Sequence, residues 1–117
     1  MLNNIWWIGQ EAFRGCLNLT TFEIPSSVTN IGRYAFASCK NLVTIKISNN
    51  VKKIGDYCFN WCSNLTDIIF ENTTGWNMTS SSSYANGTVI DVTNSVTNAT
   101  NLKSTSGSWC NKYLYRV

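Results

Sequence analysis

A repeat of 23 residues is the feature that most constrains how this chain of 117 residues folds. Residues 8–30 and 31–53 agree at ten of 23 positions without a gap, and residues 54–70 continue the pattern. The recurring positions are Ile8-Gly9, Ile31-Gly32 and Ile54-Gly55, then Phe13, Phe36 and Phe59, then Cys16, Cys39 and Cys62, then Asn18-Leu19, Asn41-Leu42 and Asn64-Leu65. A unit this short cannot bury its own apolar face, so successive units must stack and share one core.

The spacing of apolar residues within each unit predicts short strands. Alternate residues of a strand point to opposite faces, which suits the spacing L-x-x-[IF]-x-[IF] in the second half of each unit. This spacing and a period of 20–29 residues form the leucine-rich-repeat signature. We therefore expect a mainly β fold, a leucine-rich-repeat solenoid of about three coils with a small C-terminal β-rich cap. Gly9, Gly32 and Gly55 suit a turn position with positive φ.

The period divides the chain into repeat units and a different C-terminal segment. We predict repeat coils in residues 1–70, with a partial unit 1–7 followed by units 8–30, 31–53 and 54–70, and a capping segment in residues 71–117. In that segment, residues 76–79, 89–92 and 112–117 have strand patterns. Asn94 or Ser95 is expected to cap a short helix in which Val96, Ala99 and Leu102 share one face.

The repeat motif resembles the BspA-like leucine-rich repeat family over residues 5–70, and residues 71–117 resemble the ending of such proteins more loosely. These repeats are found mainly in large secreted or surface-anchored proteins of bacteria and in some protozoa. The resemblance implies a non-enzymatic, adhesin-like recognition module that is part of a longer exported protein. Its implied location is extracellular or at the cell surface, and its implied partner is a protein or a cell-surface glycoconjugate.

The outward positions of the repeat strand are the candidate ligand-binding residues, because stacking places them in two columns on one sheet face. The columns consist of Thr21, Thr44 and Asp67, and of Glu23, Lys46 and Ile69. The alternative is a solvated sheet face without a ligand.

The N-terminal end offers a second candidate surface, because no capping segment precedes the first unit. We expect either a fragment of a longer repeat protein or a structural unit that self-associates by stacking through this end into an oligomer or particle. Trp6 and Trp7 take positions expected to face outward. They mark a possible interface, or one of them folds over the open end as a lid.

The recurrent cysteines and asparagines have structural explanations. Cys16, Cys39, Cys58 and Cys62 are expected to be buried free thiols, since cysteine is a good small core residue. Cys110 has no counterpart in the repeat. The asparagines Asn18, Asn41 and Asn64 are expected to satisfy backbone groups at the turns, in preference to binding a glycan or a metal.

Composition argues against several classes of function. The chain contains no histidine, so catalytic triads, Cys-His dyads and His-bearing zinc sites are excluded. The net charge of +3 is too dilute for a dedicated nucleic-acid surface, and no run of 18 apolar residues exists for membrane insertion. We therefore expect no enzymatic activity, no cofactor and no metal.

Overall fold

The structure of the protein is a computed structural model that describes residues 5–103 and 109–117. Residues 1–4 of the predicted partial unit and residues 104–108 of the predicted cap lie outside the described residues. The described elements are β1 (Trp7–Ile8), β2 (Thr21–Glu23), β3 (Asn30–Ile31), β4 (Thr44–Ile47), β5 (Lys53–Ile54), β6 (Asp67–Phe70), β7 (Trp76–Thr79), β8 (Thr88–Val89), α1 (Ser95–Leu102) and β9 (Tyr113–Arg116). Helix makes up 7% of the chain, so the predicted β-rich character is confirmed.

The repeat units contribute one strand each to two parallel arrays. Strands β2, β4 and β6 form a three-stranded parallel sheet, and β1, β3 and β5 pair in parallel as one half of a six-stranded sheet. Every one of these pairs joins residues that are 23 positions apart, as Phe22 with Ile45 shows. The sequence period is therefore the register of both arrays.

The core lies between the two arrays, where side chains of the same repeat position meet. The rings of Phe13, Phe36 and Phe59 stack with centroids 5.2 and 5.8 Å apart and planes within 9° of parallel. The strand residues Ile45 and Ile68 and the edge residues Val28 and Val51 are fully buried. Burying a side chain of this size contributes roughly 1.5–3 kcal/mol. The repeated apolar positions thus supply most of the core.

The prediction of positive φ for the repeated glycine was wrong. In the described residues the left-handed backbone instead occurs two positions later, at Glu11, Tyr34 and Tyr57, and again at Gly15, Ser38 and Trp61, with φ between 57° and 73°. The glycine is required by close contact between units. A Cβ on Gly55 would lie 2.3 Å from the backbone nitrogen of Arg33, a distance that only a hydrogen atom tolerates.

The asparagine prediction is confirmed for the second and third units. The side-chain amide of Asn41 donates a hydrogen bond of 2.8 Å to the Leu17 carbonyl, and that of Asn64 donates one of 2.8 Å to the Lys40 carbonyl. Each asparagine thereby satisfies a turn carbonyl of the preceding unit.

The C-terminal segment extends the six-stranded sheet beyond the third unit. Strand β9 pairs antiparallel with β5 and with β7, and β7 pairs antiparallel with β8. The predicted strand at residues 89–92 is wrong in its bounds, because β8 spans only Thr88–Val89. At the turn of the third unit, the Tyr57 amide donates to the Cys110 carbonyl at 2.8 Å.

Helix α1 packs along β6, the outermost strand of the three-stranded sheet. Asn94 is its N-cap and accepts a 2.9 Å hydrogen bond from the Thr97 amide. Of the three residues predicted to share one face, Ala99 and Leu102 are buried and Val96 is 58% exposed, while Asn98 is fully buried. The amide nitrogen of Asn98 donates to the carbonyls of Ile68 and Val92, both at 2.8 Å, so its burial satisfies the edge of β6.

Candidate functional site

The outward side chains of β2, β4 and β6 lie in two columns across the three-stranded sheet. Cross-strand pairing places Thr21 beside Thr44 and Thr44 beside Asp67, and it places Glu23 beside Lys46 and Lys46 beside Ile69. Parallel pairing keeps equivalent side chains on the same face about 4.8 Å apart. We call these six residues the two-column face. Ile69 is 40% exposed, so an aliphatic side chain faces solvent here.

Lys46 is the electrostatic centre of the two-column face. Its Nζ lies 3.8 Å from a carboxylate oxygen of Glu23 and 3.4 Å from one of Glu71. The carboxylate of Glu71 also accepts a 2.8 Å hydrogen bond from the Asn49 amide. Exposed pairs like these contribute at most about 1 kcal/mol each. A partner that offers a better-placed charge can therefore replace either carboxylate at small cost.

Asp67 differs from Glu23 because its carboxylate accepts hydrogen bonds from two hydroxyl groups instead of pairing with Lys46. One oxygen accepts a 2.8 Å hydrogen bond from the Ser95 hydroxyl, and the other accepts one of 3.0 Å from the Thr66 hydroxyl. The bond to Ser95 connects β6 to the first residue of α1. Asp67 thus helps to hold the helix against the sheet in addition to facing outward.

The two-column face contains a shallow, open cavity of about 390 Å³. Five of the six residues of the two-column face line this cavity together with Phe22, and Asp67 is the one that does not. The five are Thr21, Glu23, Thr44, Lys46 and Ile69. Hydroxyl, carboxylate, ammonium and aliphatic groups side by side suit recognition of a polypeptide surface, which offers the same mixture. The arrangement contains no nucleophile activated by an adjacent base.

Within the described residues, the N-terminal unit leaves one edge of each sheet without a paired strand, since β1 and β2 are outermost in their strand orders. Between them lies an apolar cavity of about 200 Å³, lined mainly by Ile5, Trp7, Ile8, Phe13 and Phe22. Its walls combine the exposed side chains of Ile5 and Trp7 with apolar residues of the first unit that are buried or partly buried. Exposed apolar surface of this kind marks contacts in many soluble proteins.

Trp7 partly covers this N-terminal edge. A Cβ on Gly9 would meet the Trp7 indole ring at 3.7 Å, whereas a Cβ on Gly32 would meet the backbone of Gly9 and Gln10 at 2.5–2.9 Å. The indole of Trp7 therefore occupies the side of Gly9 on which the equivalent Gly32 meets a neighbouring unit. Trp6 is 62% exposed and its ring centroid lies 6.3 Å from that of Trp7.

All five cysteines are free, and four of them are buried, with Cys16 only partly so. The prediction of buried free thiols is confirmed for Cys39, Cys58 and Cys62 and is wrong for Cys16, which is only partly buried. The thiol of Cys39 donates to the Phe13 carbonyl at 3.1 Å, and that of Cys62 donates to the Phe36 carbonyl at 3.0 Å. Burial raises the pKa of Cys62 to about 12 and raises the pKa of Cys58 still further. Such thiols are poor nucleophiles at neutral pH, because the reactive form is the thiolate.

The remaining observations on the described residues concern a polar cavity, metal ligands and membrane-spanning helices. An open cavity of about 430 Å³ in the C-terminal segment is lined by hydroxyl and amide side chains, Met78, Ala85 and Lys112, whose ammonium donates to the Ser80 hydroxyl at 2.8 Å. Within residues 5–103 and 109–117, no three Cys, Asp or Glu side chains are grouped as metal ligands. In the same ranges, α1 falls well short of the length and apolar character that a transmembrane helix needs.

Sequence reasoning missed two residues that the structure brings to the surface sites. Glu71 pairs with Lys46, although the sequence places it just outside the repeat strand. Trp61 is 55% exposed and lines an open cavity of about 560 Å³ with Ser38, Lys40 and Ser63. The available signal for Trp61 was a tryptophan at the position that Gly15 and Ser38 occupy in the other units.

Comparison with known proteins gives one match. The family model described as the BspA type leucine-rich repeat region matches residues 1–113 in six copies. No curated protein and no solved structure matches the chain significantly. The family match extends through most of the segment that the period alone separates from the repeats, and it covers the two-column face completely.

Proposed function

This chain belongs to the BspA-type leucine-rich repeat family, and we propose that it is a non-enzymatic recognition module that binds a protein on a cell surface through the two-column face. Members of the family typically mediate protein interactions and typically occur on surface or exported proteins. The proposed location is therefore extracellular or at the cell surface, and the proposed activity is adhesion.

The observation that carries the proposal is the chemistry of the two-column face. Lys46 lies between two carboxylates that bind it weakly, and Ile69 and Phe22 supply apolar contact beside it. A protein interface combines an apolar centre with polar groups at its rim, and this face offers both within one cavity. A glycoconjugate is the alternative ligand for the same face.

The proposed architecture is a solenoid of three coils closed at its C-terminal end by residues 71–117. Parallel pairing at a spacing of 23 residues supports the coils, and the pairing of β9 with β5 and the contact of α1 with β6 support the cap. Three coils form a platform only about 15 Å long, given the strand spacing. An interface of this length is smaller than that of a standard complex, so we expect weak binding by this chain alone.

The test is adhesion of beads that carry the protein to cultured epithelial cells. The variant combines Thr44→Arg and Lys46→Glu, which adds bulk to one column and reverses the charge of the other without touching the buried residues. A matched control carries Val89→Arg and Val96→Glu, at exposed residues of β8 and α1. We expect adhesion to fall at least about tenfold for the face variant, or about 1.4 kcal/mol, and to stay unchanged for the control. Equal adhesion of the two variants would contradict the proposal.

A second candidate function is assembly through the N-terminal edge, and the apolar cavity between β1 and β2 favours it. Two copies that meet there would bury Trp6 and Trp7 and pair strands that are outermost in the single chain. Light scattering over a range of concentrations tests this idea. A dimer that dissociates when Trp6 and Trp7 are replaced by Ser would support assembly, and a monomer at all concentrations would exclude it.

A further inference from the structure

The open cavity beside Trp61 is the largest of the surface cavities described above and shares no lining residue with the two-column face. It lies in the turns that lead into β4 and β6. The repeat register places Ser38 beside Trp61 and Lys40 beside Ser63, because the members of each pair are 23 residues apart. Its lining is thus one aromatic ring, two hydroxyls and one ammonium group, without a Leu, Ile, Val or Phe side chain.

Trp61 occupies a backbone position that suits tryptophan poorly. Its φ is 62°, and the equivalent residues Gly15 and Ser38 have φ of 73° and 59°, so the turn itself imposes the left-handed conformation. Such a conformation is unfavourable for a bulky side chain and natural for glycine. The side chain is also 55% exposed, so it contributes little to the core. Neither packing nor backbone preference explains a tryptophan here, and strained residues of this kind cluster at ligand sites.

Lys40 supplies a charge that is not used inside the described part of the chain. Its side chain makes no ion pair there, in contrast to Lys46 with its two carboxylates. Trp61 likewise stacks on no other aromatic ring within the described residues. A flat indole face and an unpaired ammonium group therefore face the same open space.

We propose that this cavity is a binding subsite for an acidic sugar of an oligosaccharide. The polarised C–H groups of one pyranose face pack against the electron-rich face of the Trp61 indole, which carries the negative part of the ring quadrupole. The sugar carboxylate pairs with the Lys40 ammonium, and the hydroxyls of Ser38 and Ser63 are available to its hydroxyl groups. The volume of about 560 Å³ is within the range of small-molecule sites. A protein partner fits less well, because the lining itself has a single aromatic ring and otherwise only hydroxyl and ammonium groups.

The test uses two defined oligosaccharides and NMR detection of the indole N–H groups, with the backbone amide resonances around the cavity as the readout of affinity in every variant. The acidic probe is a hyaluronan tetrasaccharide, which alternates glucuronate with N-acetylglucosamine, and the neutral probe is chitotetraose. We expect the acidic probe to shift the Trp61 resonance with millimolar affinity. Trp61→Gly, which the backbone favours, should weaken binding at least about tenfold. Lys40→Gln should weaken the acidic probe about fivefold and leave chitotetraose unaffected.

Two control variants make the test specific. Trp6→Ala removes an equally exposed tryptophan at another place and should bind as the wild type does. Lys46→Glu changes the two-column face and should also bind the sugar normally, which separates this proposal from the proposed protein contact. The sugar proposal is overturned by an unshifted Trp61 resonance at the solubility limit of the probe or by undiminished binding in Trp61→Gly. Equal affinity for chitotetraose would overturn the acidic assignment.

Discussion

The first and second repeat units have the same apolar motif but bury it to different extents. Phe36, Cys39 and Leu42 of the second unit are completely buried, whereas the equivalent Phe13, Cys16 and Leu19 of the first unit are only partly buried. The side chains are identical and point the same way. The difference arises because the second unit has a neighbour on each side, so burial in a stacked repeat is a property of neighbouring units rather than of the unit itself.

The third unit sharpens this comparison, because residues 71–117 take the place of a following unit. Phe59, Cys62 and Leu65 are as buried as their counterparts in the second unit. Strand β9 pairs antiparallel with β5, and the Asn98 side chain donates to the Ile68 carbonyl of β6. These contacts replace the hydrogen bonds that a following repeat unit would make. A segment that departs from the 23-residue period can thus complete a repeat core, provided that it satisfies the same edges.

The largest effect is expected from truncating the stacked phenylalanines. Phe36→Ala should lower the free energy of unfolding by about 3–5 kcal/mol, because it opens a cavity between two neighbouring units. Phe13→Ala should cost only about 1–2 kcal/mol, since its ring is already in contact with solvent. Urea unfolding followed by tryptophan fluorescence measures both values. Equal losses would show that the first unit is as well packed as the second.

The repeated glycine offers a second matched pair. Gly55→Ala should destabilise by about 3 kcal/mol, because the new methyl group would overlap the backbone of Gly32 and Arg33. Gly9→Ala should be neutral or slightly stabilising, since its new Cβ meets only the Trp7 ring at an ordinary 3.7 Å. Thermal unfolding of the two variants under the same conditions tests this difference. A similar loss in Gly9→Ala would contradict the assignment of the glycine to contact between units.

A smaller effect of opposite sign is expected at the left-handed turn position. Trp61→Gly should raise the free energy of unfolding by about 1 kcal/mol, because glycine adopts φ near 60° without strain. Gly15→Ala at the equivalent position of the first unit should lower it by about the same amount. Chemical unfolding curves are accurate enough to resolve both signs. A destabilised Trp61→Gly variant would mean that the indole makes a packing contribution larger than its strain.

The smallest effect concerns pH and the buried thiols. Burial raises the pKa of Cys62 from 9.0 to about 12, so the thiol ionises more readily in the unfolded chain. The stabilising contribution is complete below pH 8 and is lost progressively as the pH rises from 9 towards 12. The loss from Cys62 at pH 9 is below about 1 kcal/mol. Urea midpoints at pH 7 and pH 9 should therefore differ less in Cys62→Ser than in the wild type, and identical differences would disprove a contribution from Cys62.

Much of the fold is predictable from the repeat, and the failures are instructive. Because strands pair at the period of the sequence, the motif predicted the register of β2, β4 and β6 and the columns of Thr44 and Lys46. The non-repeating helix was harder to predict. Its apolar pattern grouped Val96, Ala99 and Leu102 on one face, but it did not indicate that Asn98 would be fully buried, with its side-chain amide donating to the Ile68 carbonyl of β6. Local pattern carries no information about an unpaired edge elsewhere.

The candidate site residues likewise divide into those that the sequence predicted and those that it missed. The outward residues of the repeat strand follow from alternation along the strand, which is a local property. Glu71 and Trp61 were missed because their roles depend on residues of another unit, Lys46 in the first case and Ser38 and Lys40 in the second. The sign of φ at Trp61 was equally invisible, since the turn that leads into β6 imposes it.

The sequence by itself determined that this protein is built from stacked units, which residues face the core and which positions align across units. It did so because the direction of a side chain depends on local backbone geometry and because the period equals the distance along the chain between paired strands. Tertiary structure alone decided how deeply each equivalent residue is buried, why the repeated glycine is required and which charges find partners. These properties depend on contacts between different units, which join residues that are distant in sequence.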